Sequence, residues 1–156
     1  MSLFDPPQKN DALLINRLNP EEILGCAIER PFDLDEYHWL TAEHYYQAMK
    51  YPGKRRFDDI LNAATAEEAR QQGRGWLKRT RKDWQGIRPL MMTRAIYTQA
   101  RTHQAFASAL LATGDQAIRE NSLYDYFWGT GRDQRGENAY GTVLMNVRDK
   151  LRQEAD

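Results

Sequence analysis

Apolar and polar positions follow recognisable periods along most of this chain, and they predict a few short strands before a series of helices. The segment 1–11 is polar with two prolines, and we expect a flexible N-terminal arm there. The apolar run Ala12–Ile15 predicts a short strand. Apolar and acidic residues alternate over Pro31–Trp39, which predicts a strand or a hairpin. The segment Glu21–Cys26 fits a strand or a turn equally well.

Start and stop signals predict the helices. Thr41 is a suitable N-cap for a helix of about three turns over Thr41–Tyr51, and Pro52-Gly53 cannot continue it. Thr65 and Glu68 form a capping box, whose helix should end near Gly73 and Gly75. Further helices are expected over Lys54–Asn62, from Pro89 as a first-turn residue to a break near Thr102-His103, from there to Gly114, and over Thr142–Gln153, with a short strand over Ala117–Glu120.

These elements predict one domain over residues 12–156, mainly α with a few short β-strands (α+β). The 22 basic and 22 acidic residues balance, so the chain is not a general binder of polyanions. Cys26 is the only cysteine, which excludes intramolecular disulfides and a thiolate zinc cluster. The three histidines lack metal-binding spacing, so we expect no metal. The chain shows neither a signal peptide nor an apolar run that could span a bilayer, so we expect a cytoplasmic protein without a membrane partner.

The predicted helix Thr41–Tyr51 carries an unusual polar face. Glu43, Tyr46, Gln47 and Lys50 recur at the spacing that places side chains on one side of a helix. A carboxylate, a phenol, an amide and an ammonium would therefore lie together. A solvent-facing ion pair between Glu43 and Lys50 accounts for this segment about as well as an active site does.

Two later segments could complete such a site. The segment Gly73–Trp84 combines cations with tryptophans, a mixture that suits a phosphate and a stacked base, although a solvated basic loop with tryptophans in the core fits too. The segment Tyr124–Gly131 supplies a second carboxylate, Asp125, and glycines that permit close approach of a ligand. An aromatic-anchored surface loop is the alternative. We interpret Cys26 and His44 as structural residues.

Taken together, these segments resemble the YbiA-like proteins, also called the NADAR family. The two most specific parts of the resemblance are the block around Glu43-His44 and the block from Trp128-Gly129 to Asn138 and Gly141. The matching pieces follow the family's order over about Pro31 to Leu151: Trp39–Tyr51, Gly73-Arg74, Arg81–Trp84, Leu110–Thr113, Asp125, Trp128-Gly129, Asn138 with Gly141, and Leu144-Met145. One stretch differs, because Ile23–Ala27 stands where family members usually carry a Phe-Ser-Asn-type segment.

The resemblance implies an N-glycosidase that cleaves the C1–N bond of a riboside and needs no cofactor. Its implied substrates are ribosylaminopyrimidine intermediates of riboflavin synthesis or ADP-ribose attached to guanine in nucleic acid. By motif position, the family's important acid corresponds to Glu43, its loop acid to Asp125 and its base-stacking tryptophan to Trp84. Lys50 corresponds to the lysine of the same helix motif.

On this basis we expect Glu43 to activate water or stabilise the cationic sugar, and Asp125 to position the water or hold ribose hydroxyls. Lys50 either tunes Glu43 or attacks C1 to form an imine. The expected substrate-binding residues are Trp84 and Trp128 for the base, Arg74, Arg81 and Lys82 for phosphates, and Tyr46, Gln47, Gly129 and Asn138 around them. The altered Ile23–Ala27 stretch favours a rival prediction, a module that binds ADP-ribose or a nucleotide without cleaving it. A pure interaction protein is the third possibility.

Overall fold

The structure is a computed structural model, and it describes residues 11–75 and 79–156. Except for Asp11, the predicted N-terminal arm lies outside these residues. The described part contains, in chain order, β1 (Leu13–Ile15), β2 (Phe32–Leu34), β3 (Tyr37–Trp39), α1 (Ala42–Ala48), α2 (Arg55–Leu61), α3 (Ala66–Gly73), α4 (Trp84–Thr102), α5 (Gln104–Ala112), β4 (Ile118–Glu120) and α6 (Ala139–Ala155). The predicted fold class, mainly α with a few short strands, is confirmed. No described helix combines the length and apolar character that crossing a bilayer requires.

Strands β2 and β3 form a hairpin, one of the two alternatives that the alternating segment predicted. They pair antiparallel, with Phe32 opposite Trp39. Asp35 and Glu36 connect them, and both have positive φ values of 53° and 72°. Two left-handed residues in a two-residue connection match the right-handed twist of the flanking strands. The hairpin delivers the chain directly to the start of α1.

Helix α1 begins where the sequence predicted but is shorter than predicted. The Thr41 side chain accepts a hydrogen bond from the His44 N–H at 3.1 Å, which confirms it as the N-cap. The helix ends at Ala48, because Met49 already serves as its C-cap and the next residues form turns. All seven residues of α1 are buried, since α2, α3 and α4 pack around it. Its polar side chains therefore need partners inside the protein.

Strand β1, near the start of the described chain, pairs with β4, which precedes α6. They pair in parallel, with Leu13 opposite Ile118 and Ile15 opposite Glu120. The segment Glu21–Cys26, which fitted strand or turn, forms turns. Because the pairing is parallel, the residues that follow β1 and β4 emerge at the same edge. Arg17 and Ser122 become neighbours in this way, although they are far apart in sequence.

The start predicted for α4 is wrong, because the helix begins at Trp84 and holds Pro89 in its interior. The Asp83 carbonyl accepts hydrogen bonds from Gly86 and Ile87, which starts the helix one turn before the proline. Pro89 has no N–H, so one backbone hydrogen bond is absent near the N-terminal end of α4, but the helix still forms. The predicted break near Thr102-His103 is confirmed, since extended His103 separates α4 from α5.

Helix α6 closes the core against α4, α5 and β4. It begins at Ala139, three residues before the predicted start, and it buries the predicted inner face of Val143, Leu144, Val147 and Leu151. The capping box of α3 is also confirmed. Thr65 accepts from the Glu68 N–H at 3.1 Å, while the Glu68 carboxylate accepts from the N–H of Ala64 at 3.0 Å, one residue before the N-cap.

Candidate active site

The Glu43 carboxylate lies inside the protein, with 3% of the residue exposed. Its Oε1 accepts a 2.7 Å hydrogen bond from Gln47 Nε2, and its Oε2 lies 3.2 Å from Cys26 Sγ. The Glu43 N–H donates to the Cys26 carbonyl at 3.0 Å. A solvent-facing ion pair on α1 is therefore excluded, because the carboxylate is buried and oriented by specific donors.

Cys26 is a neighbour of Glu43 that the sequence did not reveal. Its side chain is fully buried. Desolvation raises the pKa of the Cys26 thiol well above its usual value, and the nearby negative charge of Glu43 raises it further. The side chain is thus a neutral thiol, which can donate its proton to the carboxylate. No sequence signal linked the two residues, because 17 positions and a β-hairpin separate them.

Arg17 organises the other acidic residues of the site. Its Nη1 lies 3.3 Å from Glu120 Oε2 and donates to Ser122 Oγ at 3.1 Å, while its Nη2 donates to Asp125 Oδ2 at 3.0 Å. Burial works against the charge of Arg17, but the surrounding negative groups outweigh it, so the pKa of Arg17 lies above its usual value. The Arg17 carbonyl also accepts from the backbone of Cys26 at 3.0 Å. One residue thereby connects the Cys26 segment to the Asp125 loop.

Asp125 shapes its loop with the same carboxylate that was predicted to serve catalysis. Its Oδ1 accepts from the N–H groups of Phe127 at 3.0 Å and Trp128 at 2.7 Å. Its Oδ2 binds Arg17, and 31% of the side chain is exposed. The carboxylate therefore fixes the turn that carries Trp128 and remains partly accessible to a ligand.

Two buried tryptophans pack on Tyr46, the next residue along the polar face of α1. The Trp84 ring centroid lies 5.0 Å from that of Tyr46, and the Trp128 ring meets Tyr46 edge-on at 5.3 Å. Trp128 Nε1 also donates to the Tyr46 hydroxyl at 3.3 Å. Burial, then the charge of Glu43, raises the pKa of Tyr46, so the phenol stays protonated. Trp84 and Trp128 are 4% and 5% exposed, which places both indoles in the core of this structure.

Lys50, the last of the four polar residues predicted to share one face, lies two residues beyond the end of α1 and contacts the segment Gly73–Trp84. Its Nζ lies 3.4 Å from the Gly73 carbonyl, 5.5 Å from the Tyr46 ring centroid and 6.0 Å from that of Trp84. The Lys50 carbonyl accepts a hydrogen bond from the Arg81 N–H at 2.9 Å, which joins the segment Gly73–Trp84 to the residues that follow α1.

The predicted phosphate-binding cations surround this attachment. Arg74 and Lys82 are exposed, whereas the Arg81 guanidinium already binds Asp83 Oδ1 at 2.6 Å and Oδ2 at 3.1 Å. Trp76 and Lys78 belong to the part of the segment that lies outside the described residues.

Gly129 and Asn138 have packing roles in this structure. A Cβ atom at Gly129 would lie 2.4 Å from Glu120 Oε2, so the buried carboxylate requires a glycine there. Asn138 extends β4, because its Oδ1 accepts from the Glu120 N–H at 2.8 Å and its Nδ2 donates to the Ile118 carbonyl at 2.9 Å. The side-chain amide of Asn138 is therefore engaged with backbone.

A cleft of about 490 Å³ lies beside Glu43, between the starts of α1 and α3. Its charged lining residues are Glu29, Glu43, Glu67 and Arg70. Its remaining lining consists of Leu18, Pro20, Ala27, Leu40, Thr41, His44, Ala64, Thr65 and Ala66. Lys50, Trp84 and Asp125 are not among the described residues that line this cleft. Tyr46, which follows Glu43 by three residues on α1, contacts Lys50 and both tryptophans. Contacts through Cys26 and Arg17 connect Glu43 with Asp125.

The same site can be compared with known proteins. An N-glycosidase of Nostoc punctiforme is 38% identical over 122 residues, which cover 76% of this chain and 78% of the relative. The N-glycosidase YbiA of Escherichia coli is 31% identical over 121 residues, covering 78% and 76%. The riboflavin biosynthesis protein VVA0006 of Vibrio vulnificus is 38% identical over 117 residues, which cover 75% of this chain but 32% of that longer protein.

The fold is also similar to that of a solved structure. The NMR structure of E. coli YbiA superposes with a TM-score of 0.82 at 27% identity, covering 92% of this chain and 87% of that one. The enzyme class predicted from the sequence, an N-glycosidase, is confirmed by these relatives. The NADAR domain model matches residues 4–152, and the chain therefore belongs to the NADAR family.

Proposed function

We propose that this N-glycosidase hydrolyses the C1–N bond of a phosphorylated ribosylaminopyrimidine of riboflavin synthesis, in the cytoplasm and without a metal or other cofactor. The observation that supports it most is that Glu43, a buried acid, lines a cleft. Relatives from Vibrio vulnificus and Zea mays bear the name riboflavin biosynthesis protein. The described residues contain no group of three His, Cys, Asp or Glu side chains arranged to hold a metal.

The charge and size of the cleft favour a base with amino groups over a diphosphate. Glu29, Glu43 and Glu67 outnumber the single cation, Arg70, among its charged residues. Carboxylates accept hydrogen bonds from amino and hydroxyl groups and stabilise positive charge on a sugar, but they repel phosphate. A cleft of about 490 Å³ is within the size range of small-molecule sites. The exposed cations Arg74 and Lys82 lie elsewhere and suit the substrate's phosphate.

In the proposed reaction, water supplies the hydroxyl that replaces the base. Glu43 removes a proton as the water oxygen bonds to C1, and the electrons of the C1–N bond leave with the nitrogen, which takes up a proton to give the free amine. Asp125 holds ribose hydroxyls or the water with its accessible edge. Base stacking by Trp84 or Trp128 stays a prediction. It requires a neighbouring side chain to move and expose one face of the indole ring.

Lys50 has two possible roles that experiment can separate. A charged ammonium would stabilise the Glu43 carboxylate through space, whereas a neutral amine would attack C1 and form an imine with the opened sugar. Borohydride added during turnover reduces an imine and links the sugar to the enzyme, so mass spectrometry would find the adduct on Lys50 only in the second case. Lys50→Arg keeps the positive charge and cannot form the imine.

A paired assay tests the proposed function. The protein is incubated in ¹⁸O-labelled water with a ribosylaminopyrimidine phosphate and, separately, with an oligonucleotide that carries ADP-ribosylated guanine. We expect mass spectrometry to find the free aminopyrimidine and ribose phosphate with one ¹⁸O atom. Release of ADP-ribose alone would assign the other substrate class. Tight binding of either compound without turnover would support the rival binding module.

Glu43→Gln supplies the matched test of the catalytic group. It preserves the shape of the side chain and removes its basicity, so we expect kcat to fall by about 10²–10⁴-fold. Glu137→Gln makes the same change at an exposed site in the loop before α6 and should leave kcat unchanged. Full activity of Glu43→Gln on a substrate that the wild type cleaves would refute the assignment.

A further inference from the structure

We propose that Cys26 is a positioning residue for Glu43, and that its thiol holds the carboxylate in the orientation that the proposed hydrolysis requires. This inference rests on the proposed function, in which Glu43 is the base that activates water. It assigns a role to a residue that the sequence interpretation treated as structural.

Cys26 is the hydrogen-bond donor to one oxygen of the Glu43 carboxylate. Gln47 Nε2 donates to Oε1 at 2.7 Å, and Cys26 Sγ lies 3.2 Å from Oε2. The backbones of the two segments are also joined, because the Glu43 N–H donates to the Cys26 carbonyl at 3.0 Å. The carboxylate is thus held from two directions, by its own helix and by the turn segment before the hairpin.

The thiol proton has two acceptors within reach. Cys26 Sγ lies 3.4 Å from the Arg17 carbonyl and 3.2 Å from Glu43 Oε2. Hydrogen bonds to an ionised acceptor are stronger than those to a neutral one, so the carboxylate is favoured. The side chain is fully buried, and burial raises the pKa of the thiol well above its usual value, which keeps the proton on sulfur.

Gln47 and Cys26 fix the plane of the Glu43 carboxylate, because each donates a hydrogen bond to a different oxygen. Each oxygen retains lone-pair capacity for water or substrate. Without the thiol, the carboxylate loses the donor to Oε2 and can rotate about its terminal bond, which is a soft torsion.

Infrared spectroscopy tests the hydrogen bond without depending on activity. The S–H stretching band lies in a spectral window free of other protein bands, and the single cysteine makes its assignment unambiguous. We expect a band at lowered frequency in the wild type and a shift to higher frequency in Glu43→Gln, whose amide is a weaker acceptor. An unchanged band in Glu43→Gln would overturn the inference, whether or not the protein cleaves any riboside.

Kinetics test the positioning role. For Cys26→Ala we expect kcat on the cleaved riboside to fall by about three- to tenfold, as the loss of one modest hydrogen bond predicts, with little change in KM. Cys26→Ser retains a donor and should recover most of kcat. Val143→Ala, which shortens a buried side chain of α6, controls for a general loss of core packing.

The kinetic outcomes separate the inference from the function on which it rests. Wild-type kcat in Cys26→Ala, or an equal loss in Cys26→Ser and Cys26→Ala, would refute positioning by the thiol. Absence of turnover by the wild type on both substrates would instead refute the proposed function, and the infrared result would still decide whether the hydrogen bond exists.

Discussion

Replacing Arg17 with methionine should destabilise the protein more than most single substitutions. The change preserves much of the side-chain length but removes the cation that lies 3.3 Å from Glu120 and 3.0 Å from Asp125. The Glu120 side chain has no exposed surface, so water cannot replace the lost partner. Leaving a buried charge without its counter-ion costs about 3–5 kcal/mol. Ser122 keeps its 2.6 Å hydrogen bond to Glu120, which places the expected loss near the lower limit.

Urea denaturation followed by circular dichroism measures this loss as a change in the free energy of unfolding. Arg119→Met is a matched control, because Arg119 lies on β4 next to Glu120 and points to the other face of the strand. We expect that control to change stability by less than about 0.5 kcal/mol. Adding Glu120→Gln to Arg17→Met removes the stranded charge and should restore part of the loss. A loss below about 1 kcal/mol in Arg17→Met would refute the reasoning, since it would mean that Glu120 does not depend on Arg17.

Three further predictions test other parts of the structure. Gly129→Ala places a Cβ atom 2.4 Å from a buried carboxylate oxygen and should lower the free energy of unfolding by about 1–3 kcal/mol, whereas Gly86→Ala, with open space in α4, should raise it by about 0.5–1 kcal/mol. Burial lowers the pKa of His44, so the unfolded chain binds a proton more readily than the folded one. The stability that neutral His44 contributes is therefore present above pH about 6.5 and is lost as the pH falls toward the lowered pKa. Urea unfolding should show that acidification lowers the free energy of unfolding less in His44→Gln than in the wild type. Trp84→Phe should lower the free energy of unfolding by about 1–2 kcal/mol, because the indole is buried in the core. A several-fold rise in KM beside this loss would support base stacking by Trp84, and an unchanged KM would refute it.

Local signals in the sequence predicted those parts of the fold that short-range chemistry determines. Thr41 and Thr65 were identified as N-caps because the threonine hydroxyl accepts a hydrogen bond from an unpaired N–H two or three residues later. This local bond does not depend on how the helix packs in the fold. Alternation over Pro31–Trp39 predicted a strand or a hairpin, and the structure has the hairpin. The start of α4 was missed because Pro89 is a strong signal for a first turn, while the actual start depends on the Asp83 carbonyl and the burial of Trp84.

The candidate site was only partly accessible to the same reasoning. Helical spacing predicted one face for Glu43, Gln47 and Lys50, but Lys50 lies beyond the end of α1. The burial of Glu43 and Gln47 does not follow from spacing, since polar faces usually meet solvent. Arg17 and Cys26 were missed because their contacts depend on tertiary structure. Arg17 reaches Glu120 across 103 residues through the parallel pairing of β1 with β4, and no local period records that pairing.

The burial of α1 connects the architecture to the proposed chemistry. A helix of seven residues is too short to be stable alone, so the surrounding helices must hold it in place. Those same contacts remove the Glu43 carboxylate from water, which would be unfavourable without specific donors. Gln47 and Cys26 provide them, and low solvent exposure strengthens the field that the carboxylate exerts on a developing cation. In the proposed reaction, the packing that makes α1 possible therefore also prepares the Glu43 carboxylate to act at the sugar.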